Sequence, residues 1–181
     1  FNDTATTEIY TVLHTLSLHD ALPIATGKTY RYTVLRCPLR PAVERRTVLW
    51  LRRDLDVAAM RAAAALFVGL HDFAAFRTAA AETDNSVRTV TRCDLDARPD
   101  HGGERIEFAV AANGFLYNMV RAMVGTLLVI GRGKWPPERV ADLLAAPDRA
   151  RAGPTAPARG LCLVEVRYDR STHQTDTGGL V

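Results

Sequence analysis

The sequence predicts an α+β fold, with a largely antiparallel sheet and helices packed on one face. Three short segments, residues 28–36, 86–92 and 105–111, alternate polar and apolar residues as strands do. Residues 115–130 instead repeat their apolar positions with the period of a helix. Strands and helices follow one another without the regular alternation that builds a parallel sheet, so α+β is favoured over α/β.

The predicted sheet begins with Lys28–Arg36, whose sequence KTYRYTVLR is rich in Tyr, Thr and Val. Thr47–Arg52 is a second extended segment. Residues 98–103 (RPDHGG) are typical of a turn and separate the next two strands, which predicts an antiparallel hairpin. Leu161–Tyr168 closes the sheet as a last strand. The polar composition of residues 71–86 indicates a loop.

Three helices are predicted between these strands. Asp54 and Asp56 are suited to cap a helix that runs to about Gly69. The clearest helix spans Phe115–Ile130, and a glycine follows it as a stop signal. Pro136 opens a short helix that ends at Ala146. The apolar positions that carry the period of the second helix are Leu116, Met119, Val120, Met123, Val124 and Leu127.

The composition is that of a globular protein. The chain has 181 residues, of which 48% are hydrophobic and 24% charged, which excludes wholesale disorder. The formal net charge is +3, and residues 1–24 contain acids but no Lys or Arg. The positive charge is therefore concentrated in the rest of the chain, nearly all of it as arginine, which suggests a polyanionic partner.

The cysteines favour a reducing compartment. Cys37, Cys93 and Cys162 stand far apart, with no CxxC or Cys/His spacing, which argues against structural zinc. No membrane span is expected, because the longest apolar stretch is short and contains Asn118 and Arg121. No secretory signal is recognisable at the N-terminus. We therefore expect a cytoplasmic location.

The first segment does not read as a natural protein sequence. Residues 2–24, NDTATTEIYTVLHTLSLHDALPI, resemble the in-frame translation of a common sequencing-library adaptor. We therefore expect residues 1–24 to be a non-native segment that contributes nothing to the core. The expected domain is residues 25–169, followed by a polar tail at 170–181.

One polar cluster suggests a functional site, whereas the other candidate motifs do not match a known pattern. Residues 131–134 (GRGK) lack the upstream glycine and the Ser or Thr of a phosphate loop, and no histidines form a pair at metal spacing. Tyr30 and Tyr32 point to the same face of their strand. Asn118 and Arg121 lie three residues apart on one face of an apolar helix. An arginine there needs a carboxylate or a phosphate, so it forms either a structural salt bridge or part of a site.

Several longer blocks carry a family resemblance. The run GFLYNMVRAMVGTLLVIGRGKWPPE resembles the C-terminal signature of bacterial tRNA pseudouridine synthases of the TruA family. KTYRYTVLRCPLRPA, GLHDFAAFR, SVRTV and LLAAPDRARAGPTAPARGLCLVEVRY resemble neighbouring blocks of that family, in the same order. The resemblance covers about residues 27–168.

The resemblance implies a function. Members of this family isomerise uridine to pseudouridine in the anticodon stem-loop of tRNA as homodimers, without metal or cofactor. It places Tyr30 against the target base and pairs Arg121 with the catalytic aspartate. The basic residues Arg77, Arg88, Arg132 and Lys134 are candidates for phosphate contacts.

The family nucleophile is missing from this sequence. It is the Asp of an Arg-Thr-Asp-x-Gly-Val-His motif, and no such motif occurs here. Asp20 lies in the adaptor-like segment, and Asp72 belongs to a different family block. The expected function is therefore that of an inactive C-terminal portion of the enzyme. The alternative is a non-catalytic RNA-binding module.

Overall fold

The computed structural model describes residues 25–78, 85–100 and 102–168. Residues Thr26–Arg167 form one compact unit. The expectations for residues 1–24 and for the tail at 170–181 lie outside the described residues. No helix in the described part of the chain is long and apolar enough to cross a membrane.

A six-stranded, mostly antiparallel sheet forms the framework, as predicted. Its order is β2-β1-β5-β4-β3, and β6 pairs with β1. The strands are β1 (Ala25–Arg36), β2 (Leu49–Leu51), β3 (Gly69–Asp72), β4 (Val87–Asp100), β5 (Gly103–Ala112) and β6 (Leu161–Tyr168). The short β2 pairs in parallel with the end of β1.

The long hairpin of β4 and β5 is tighter than the sequence suggested. Asp100 is the register partner of Gly103, so only two residues connect the strands instead of a six-residue turn. Gly102 has φ +75°, a conformation that glycine adopts without strain. β5 then pairs with β1 over nine residues, from Lys28 opposite Ala112 to Arg36 opposite Glu104.

The described residues also form three α-helices: α1 (Val57–Ala65), α2 (Met119–Gly131) and α3 (Arg139–Ala145). The Asp56 side chain caps α1 by accepting a hydrogen bond from the Ala59 amide at 2.9 Å. The expected cap by Asp54 is wrong, because this carboxylate instead pairs with Arg36. The helix also ends at Ala65 rather than near Gly69, since the chain turns there into β3.

The helix predicted from Phe115 begins four residues later, at Met119. The physical reason is the backbone of Asn118, which has φ 61° in the left-handed region. A residue in that conformation cannot continue a right-handed helix, so residues 115–118 form an irregular entry. This departure places the Asn118 side chain at the start of α2 rather than on its face.

The predicted polar loop at residues 71–86 is also partly wrong. His71 and Asp72 end β3, where they pair with Arg88 and Val87 of β4. The next residues, Phe73 to Phe76, enclose a short 3₁₀ turn in which both phenylalanines are fully buried. The segment packs against the core despite its polar composition, because each of its two aromatic rings buries a large apolar area.

The core lies between the helices and one face of the sheet, as predicted. Alternate residues of β5 and β1 point into it, and α2 is buried along nearly its whole length. The strand residues at its centre are Tyr32, Val34, Val90, Ile106, Phe108 and Val110. The opposite face carries only a small cluster of Leu35, Cys37 and Val48 with the half-buried Trp50.

A segment that follows α3 packs directly against α2. A Cβ atom built on Gly125 would lie 1.6 Å from the Pro154 carbonyl oxygen, and one on Gly153 would lie 2.6 Å from the Thr126 backbone. The Thr126 hydroxyl accepts the Gly153 amide at 3.0 Å. Glycine is thus required at this contact because the two backbones meet without room for a side chain.

We expect Gly125→Ala to lower the free energy of unfolding by about 2 kcal/mol, measured by urea titration. Alanine favours a helix over glycine by about 1 kcal/mol. The overlap with a backbone oxygen outweighs this gain, since overpacking costs about 1–3 kcal/mol or more and no rotamer relieves it. Gly114→Ala is the matched control, because its Cβ meets only the flexible Arg88 side chain at 3.6 Å. Equal stability of the two variants would contradict the packing.

Candidate functional site

An open cavity of about 440 Å³ lies where the entry to α2 faces β1. Both Tyr30 and Arg121, which the sequence singled out separately, line it. The other lining residues are Lys28, Phe115, Leu116, Tyr117, Asn118, Met119, Val120 and Leu161. The cavity thus combines apolar and aromatic walls with two cationic side chains.

Arg121 is held on two sides. Its Nε donates to the Ala156 carbonyl at 2.6 Å, and its Nη1 donates to Asn118 Oδ1 at 2.8 Å. The Arg121 backbone carbonyl in turn accepts the Ala156 amide at 3.0 Å. The guanidinium is therefore fixed between the start of α2 and the segment that packs on it.

The charge of Arg121 has no counter-ion among the residues that the structure describes. The structure shows no ion pair between this residue and any described carboxylate. Its third nitrogen, Nη2, has no hydrogen-bond partner among the described residues. This atom is not fully buried, so a ligand can reach it. A partly buried guanidinium with an open donor is suited to bind a carboxylate or a phosphate.

Asn118 orients this arginine. Its amide oxygen accepts from Arg121, and its Nδ2 donates to the Thr78 hydroxyl at 3.0 Å. The Thr78 amide reaches the Tyr117 carbonyl at 3.4 Å. The sequence analysis placed Asn118 and Arg121 together on one face of a helix, and the two side chains are indeed in contact. Asn118 nevertheless lies just before the helix, in a left-handed conformation.

Tyr30 forms the aromatic wall. Its ring meets Phe115 edge to face, with 5.0 Å between centroids, and the side chain is half-buried against the core. Phe115 was not singled out as a site residue from the sequence. Its position immediately before the polar Tyr117 and Asn118 was the available signal.

Tyr32 lies behind this wall as a structural residue. It is fully buried, and its hydroxyl donates to the Pro157 carbonyl at 2.7 Å. Gly160 packs against the ring, where a Cβ would come within 2.6 Å. Burial raises the pKa of Tyr32 to about 12, although the charges of Arg121 and Arg159 act in the opposite direction.

This shift predicts a pH dependence of stability. The folded chain keeps the Tyr32 proton up to a pKa of about 12, whereas the unfolded chain releases it near 10. The free energy of unfolding must therefore fall as pH rises through this window. Tyr32→Phe should cost about 1 kcal/mol at neutral pH through the lost hydrogen bond.

Urea unfolding of both proteins at about pH 9 and about pH 11 tests this linkage. The stability advantage of the wild type over Tyr32→Phe should shrink at the higher pH. Other titrating groups are common to both proteins and cancel in the comparison. An advantage that stays constant between the two pH values would contradict a buried hydroxyl at Tyr32.

The described cavity lining contains no carboxylate. Three aspartates elsewhere have structural partners: Asp54 and Asp94 pair with Arg36 and Arg92, and Asp72 accepts the Ala74 amide at 2.9 Å. Within residues 25–78, 85–100 and 102–168, no group of three or more His, Cys, Asp or Glu side chains is placed to hold a metal ion.

The four basic candidates for phosphate contacts divide between two places. Arg77 precedes Thr78, whose hydroxyl accepts from Asn118 in the cavity wall, and the Arg88 side chain lies 3.6 Å from the Cβ position of Gly114, next to Phe115. Arg132 and Lys134 follow the far end of α2, about 20 Å away along a 13-residue helix. The structure thus brings two of the four near Tyr30 and Arg121.

Comparison with known proteins identifies the family. The sequence profile described as tRNA pseudouridine synthase matches residues 63–169. The chain is 48% identical over 145 residues to tRNA pseudouridine synthase A of Syntrophotalea carbinolica, which covers 80% of this chain and 56% of that protein. It is 44% identical over 145 residues to tRNA pseudouridine synthase A 2 of Clostridium perfringens, covering 80% of this chain and 58% of the relative.

The Geobacter sulfurreducens tRNA pseudouridine synthase A gives a longer match, 44% identical over 158 residues, which covers 84% of this chain and 63% of that protein. The chain therefore spans somewhat over half the length of these curated relatives. The profile match and the level of identity together show that this chain belongs to the tRNA pseudouridine synthase family.

Proposed function

We propose that this chain supplies the part of a tRNA pseudouridine synthase that contains Arg121 and Tyr30. The complete enzyme converts uridine to pseudouridine in the anticodon stem-loop of tRNA. The observation that carries the proposal is the shared cavity, in which an aromatic wall faces a guanidinium with no described counter-ion. The relatives named tRNA pseudouridine synthase A support it.

The reaction requires a carboxylate, and the described residues that line this cavity supply none. An aspartate from the remainder of the enzyme attacks either the sugar or the pyrimidine ring, and the bond from C1′ to N1 breaks. The base turns, a bond from C1′ to C5 forms, and the bond to the aspartate breaks. The C5 proton then leaves and N1 takes up a proton, so the product is an isomer of the substrate and the carboxylate is regenerated. The reaction is an isomerisation that needs no oxidant or reductant.

Each cavity residue has a defined task in this scheme. Arg121 pairs with the incoming aspartate through its open donor and keeps it ionised by lowering its pKa. Tyr30 presents its ring to the extruded uracil, and such stacking is worth about 1–3 kcal/mol per base. Asn118 and Ala156 keep the guanidinium in place.

The wider context follows from the same proposal. Arg77 and Arg88 contact phosphates beside the target nucleotide, and Arg132 with Lys134 contact a more distant part of the tRNA. The complete enzyme acts as a homodimer in the cytoplasm, as the family resemblance implies.

The first test uses the purified 181-residue chain and a tRNA transcript labelled with tritium at uridine C5. Formation of pseudouridine releases that tritium to water. We expect no release, because removal of a nucleophile abolishes most of the rate. Release by the chain alone would contradict the proposal and redirect attention to Asp54, Asp72 and Asp94.

The second test restores the missing carboxylate. A chimera joins residues 25–168 of this chain to the part of the Syntrophotalea carbinolica relative that lies outside the matched region. The family resemblance places the Arg-Thr-Asp motif in that part. We expect the chimera to release tritium from the same transcript. A chimera that binds tRNA but releases none would favour the RNA-binding module instead.

A further inference from the structure

Five arginines form a second basic surface that the proposed chemistry does not use. All five side chains belong to exposed residues, and none forms an ion pair with a described residue. They are Arg31, Arg40, Arg45, Arg46 and Arg159, and we name them the arginine track. Unpaired arginines at this density leave a strongly positive surface that attracts a polyanion.

The track is continuous with the candidate active site. A second cavity, of about 470 Å³, is lined by Arg31, Arg46 and Arg159 and shares Leu161 with the site cavity. A third, of about 190 Å³, is lined by Arg40, Arg45 and Arg159 and shares Val48 with the second. The three cavities therefore form a continuous row, from the site cavity through the second cavity to the third.

The path turns around one edge of the sheet. Arg31 alternates with Tyr30 along β1, so their side chains point to opposite faces. Arg159 lies at the crossing point, since it precedes Gly160, which packs against the Tyr32 ring, and Leu161, which lines both cavities. The track thus begins beside the site cavity and continues on the face that carries no helices.

The acids along this path are already neutralised. Glu44 and Glu107 line the second cavity. Arg105 binds Glu44 at 2.7 Å, and Arg98 lies 3.6 Å from Glu107. The positive charge of the track is therefore available to an external ligand.

An aromatic side chain stands at the far end. Trp50 lines the third cavity with Arg40, Arg45 and Arg159, and its Nε1 donates to the Cys37 carbonyl at 3.0 Å. That bond fixes the indole, whose half-buried ring remains part of the wall. Arginines interleaved with an aromatic ring are typical of surfaces that follow a single RNA strand.

We propose that the arginine track binds the backbone of the substrate RNA beyond the target uridine, from the site cavity around the sheet edge to Trp50. The inference rests on the proposed function for the identity of the RNA. It adds contacts distinct from Arg77, Arg88, Arg132 and Lys134, and it requires the RNA to touch both faces of the sheet.

Fluorescence anisotropy of the complete 181-residue chain with a labelled, unmodified tRNA transcript tests the track. Dissociation constants are measured from about 50 to 200 mM NaCl for the wild type and for the triple variant Arg40→Gln/Arg45→Gln/Arg159→Gln. Each lost contact with a single strand removes about 0.7 from the slope of log affinity against log salt, so the triple variant should lose about 2. Its dissociation constant at about 0.1 M NaCl should rise about 100-fold.

Two controls separate contacts from net charge. The variant Arg61→Gln/Arg92→Gln/Arg151→Gln removes the same charge from exposed residues that line none of the three cavities. Its slope of log affinity against log salt should change by less than about 0.7, the value for one contact. The triple lysine variant at positions 40, 45 and 159 keeps the charge and should keep the wild-type slope. Thermal midpoints confirm that every variant is folded.

The outcomes also separate this proposal from the function on which it rests. Equal slopes for the two glutamine variants, or a wild-type chain that binds no tRNA, would overturn the track. A chimera that releases tritium and keeps its KM after the three track substitutions would overturn the track and leave the function intact. An inactive chimera with the expected slope change would overturn the function and support the track.

Discussion

Replacing Arg121 by lysine in the chimera should lower kcat for tritium release on the order of 100-fold. Arg121 uses two nitrogens to bind Ala156 and Asn118, and the proposed function assigns the third to the incoming carboxylate. A lysine ammonium is a single point of charge and cannot satisfy the two fixed acceptors while reaching the aspartate in the same geometry. Single-turnover release, at saturating enzyme, measures this loss without a contribution from tRNA affinity.

Arg61→Lys is the matched control, since it makes the same change at an exposed position of another helix, α1, that does not line the site cavity, and it should leave kcat unchanged. The pH profile adds a second readout. Without the guanidinium, the pKa of the aspartate should rise, so the acid limb of the rate profile should move to higher pH. Wild-type kcat for the lysine variant, with an unmoved acid limb, would show that Arg121 does not act on the nucleophile.

Replacing Tyr30 by alanine should lower turnover of the chimera about 10- to 100-fold, because base stacking contributes about 1–3 kcal/mol. The ring also packs on Phe115, so a modest decrease in thermal midpoint is expected as well. The effect on turnover should exceed the effect on folding. Tritium release normalised to the folded fraction at the assay temperature separates the two.

Tyr30→Phe is the conservative variant for this position. It retains the aromatic face and the edge contact with Phe115, so its turnover should stay within a few-fold of the wild type. A large loss of stability in Tyr30→Ala with full activity per folded molecule would return Tyr30 to a purely structural role in the sheet.

The strands were largely predictable because their signal is local. Alternation along Lys28–Arg36 indicates a strand with one buried and one exposed face. β3 was missed because four residues, Gly69–Asp72, are too few to show a period. Its pairing with β4 depends on the buried Phe73 and Phe76, whose packing against Phe67 is a tertiary effect.

The site was predictable only in its parts. Asn118 and Arg121 were found together because they lie three positions apart in the sequence, and Tyr30 was identified through the family resemblance. No pattern in the sequence links Arg121 to Ala156, which is 35 residues away. The contact exists because Gly125 and Gly153 let two backbones approach, and that is a property of the folded chain.

The arginine track escaped the sequence for the same reason. Arg31 lies on β1, Arg40 and Arg45 follow that strand, and Arg159 comes more than a hundred residues later. Singly, each is an ordinary exposed cation. Only the fold places them along adjoining cavities that begin at the site.

Tritium release from C5-labelled tRNA by three matched proteins tests the central claim most directly. The proteins are the chain alone, the chimera, and a chimera whose Arg-Thr-Asp aspartate is replaced by asparagine. The account predicts release by the intact chimera only, with tRNA affinity equal in the two chimeras. Release by the chain alone, or equal release by both chimeras, would contradict the claim that Arg121 and Tyr30 complete a site whose nucleophile lies outside this chain.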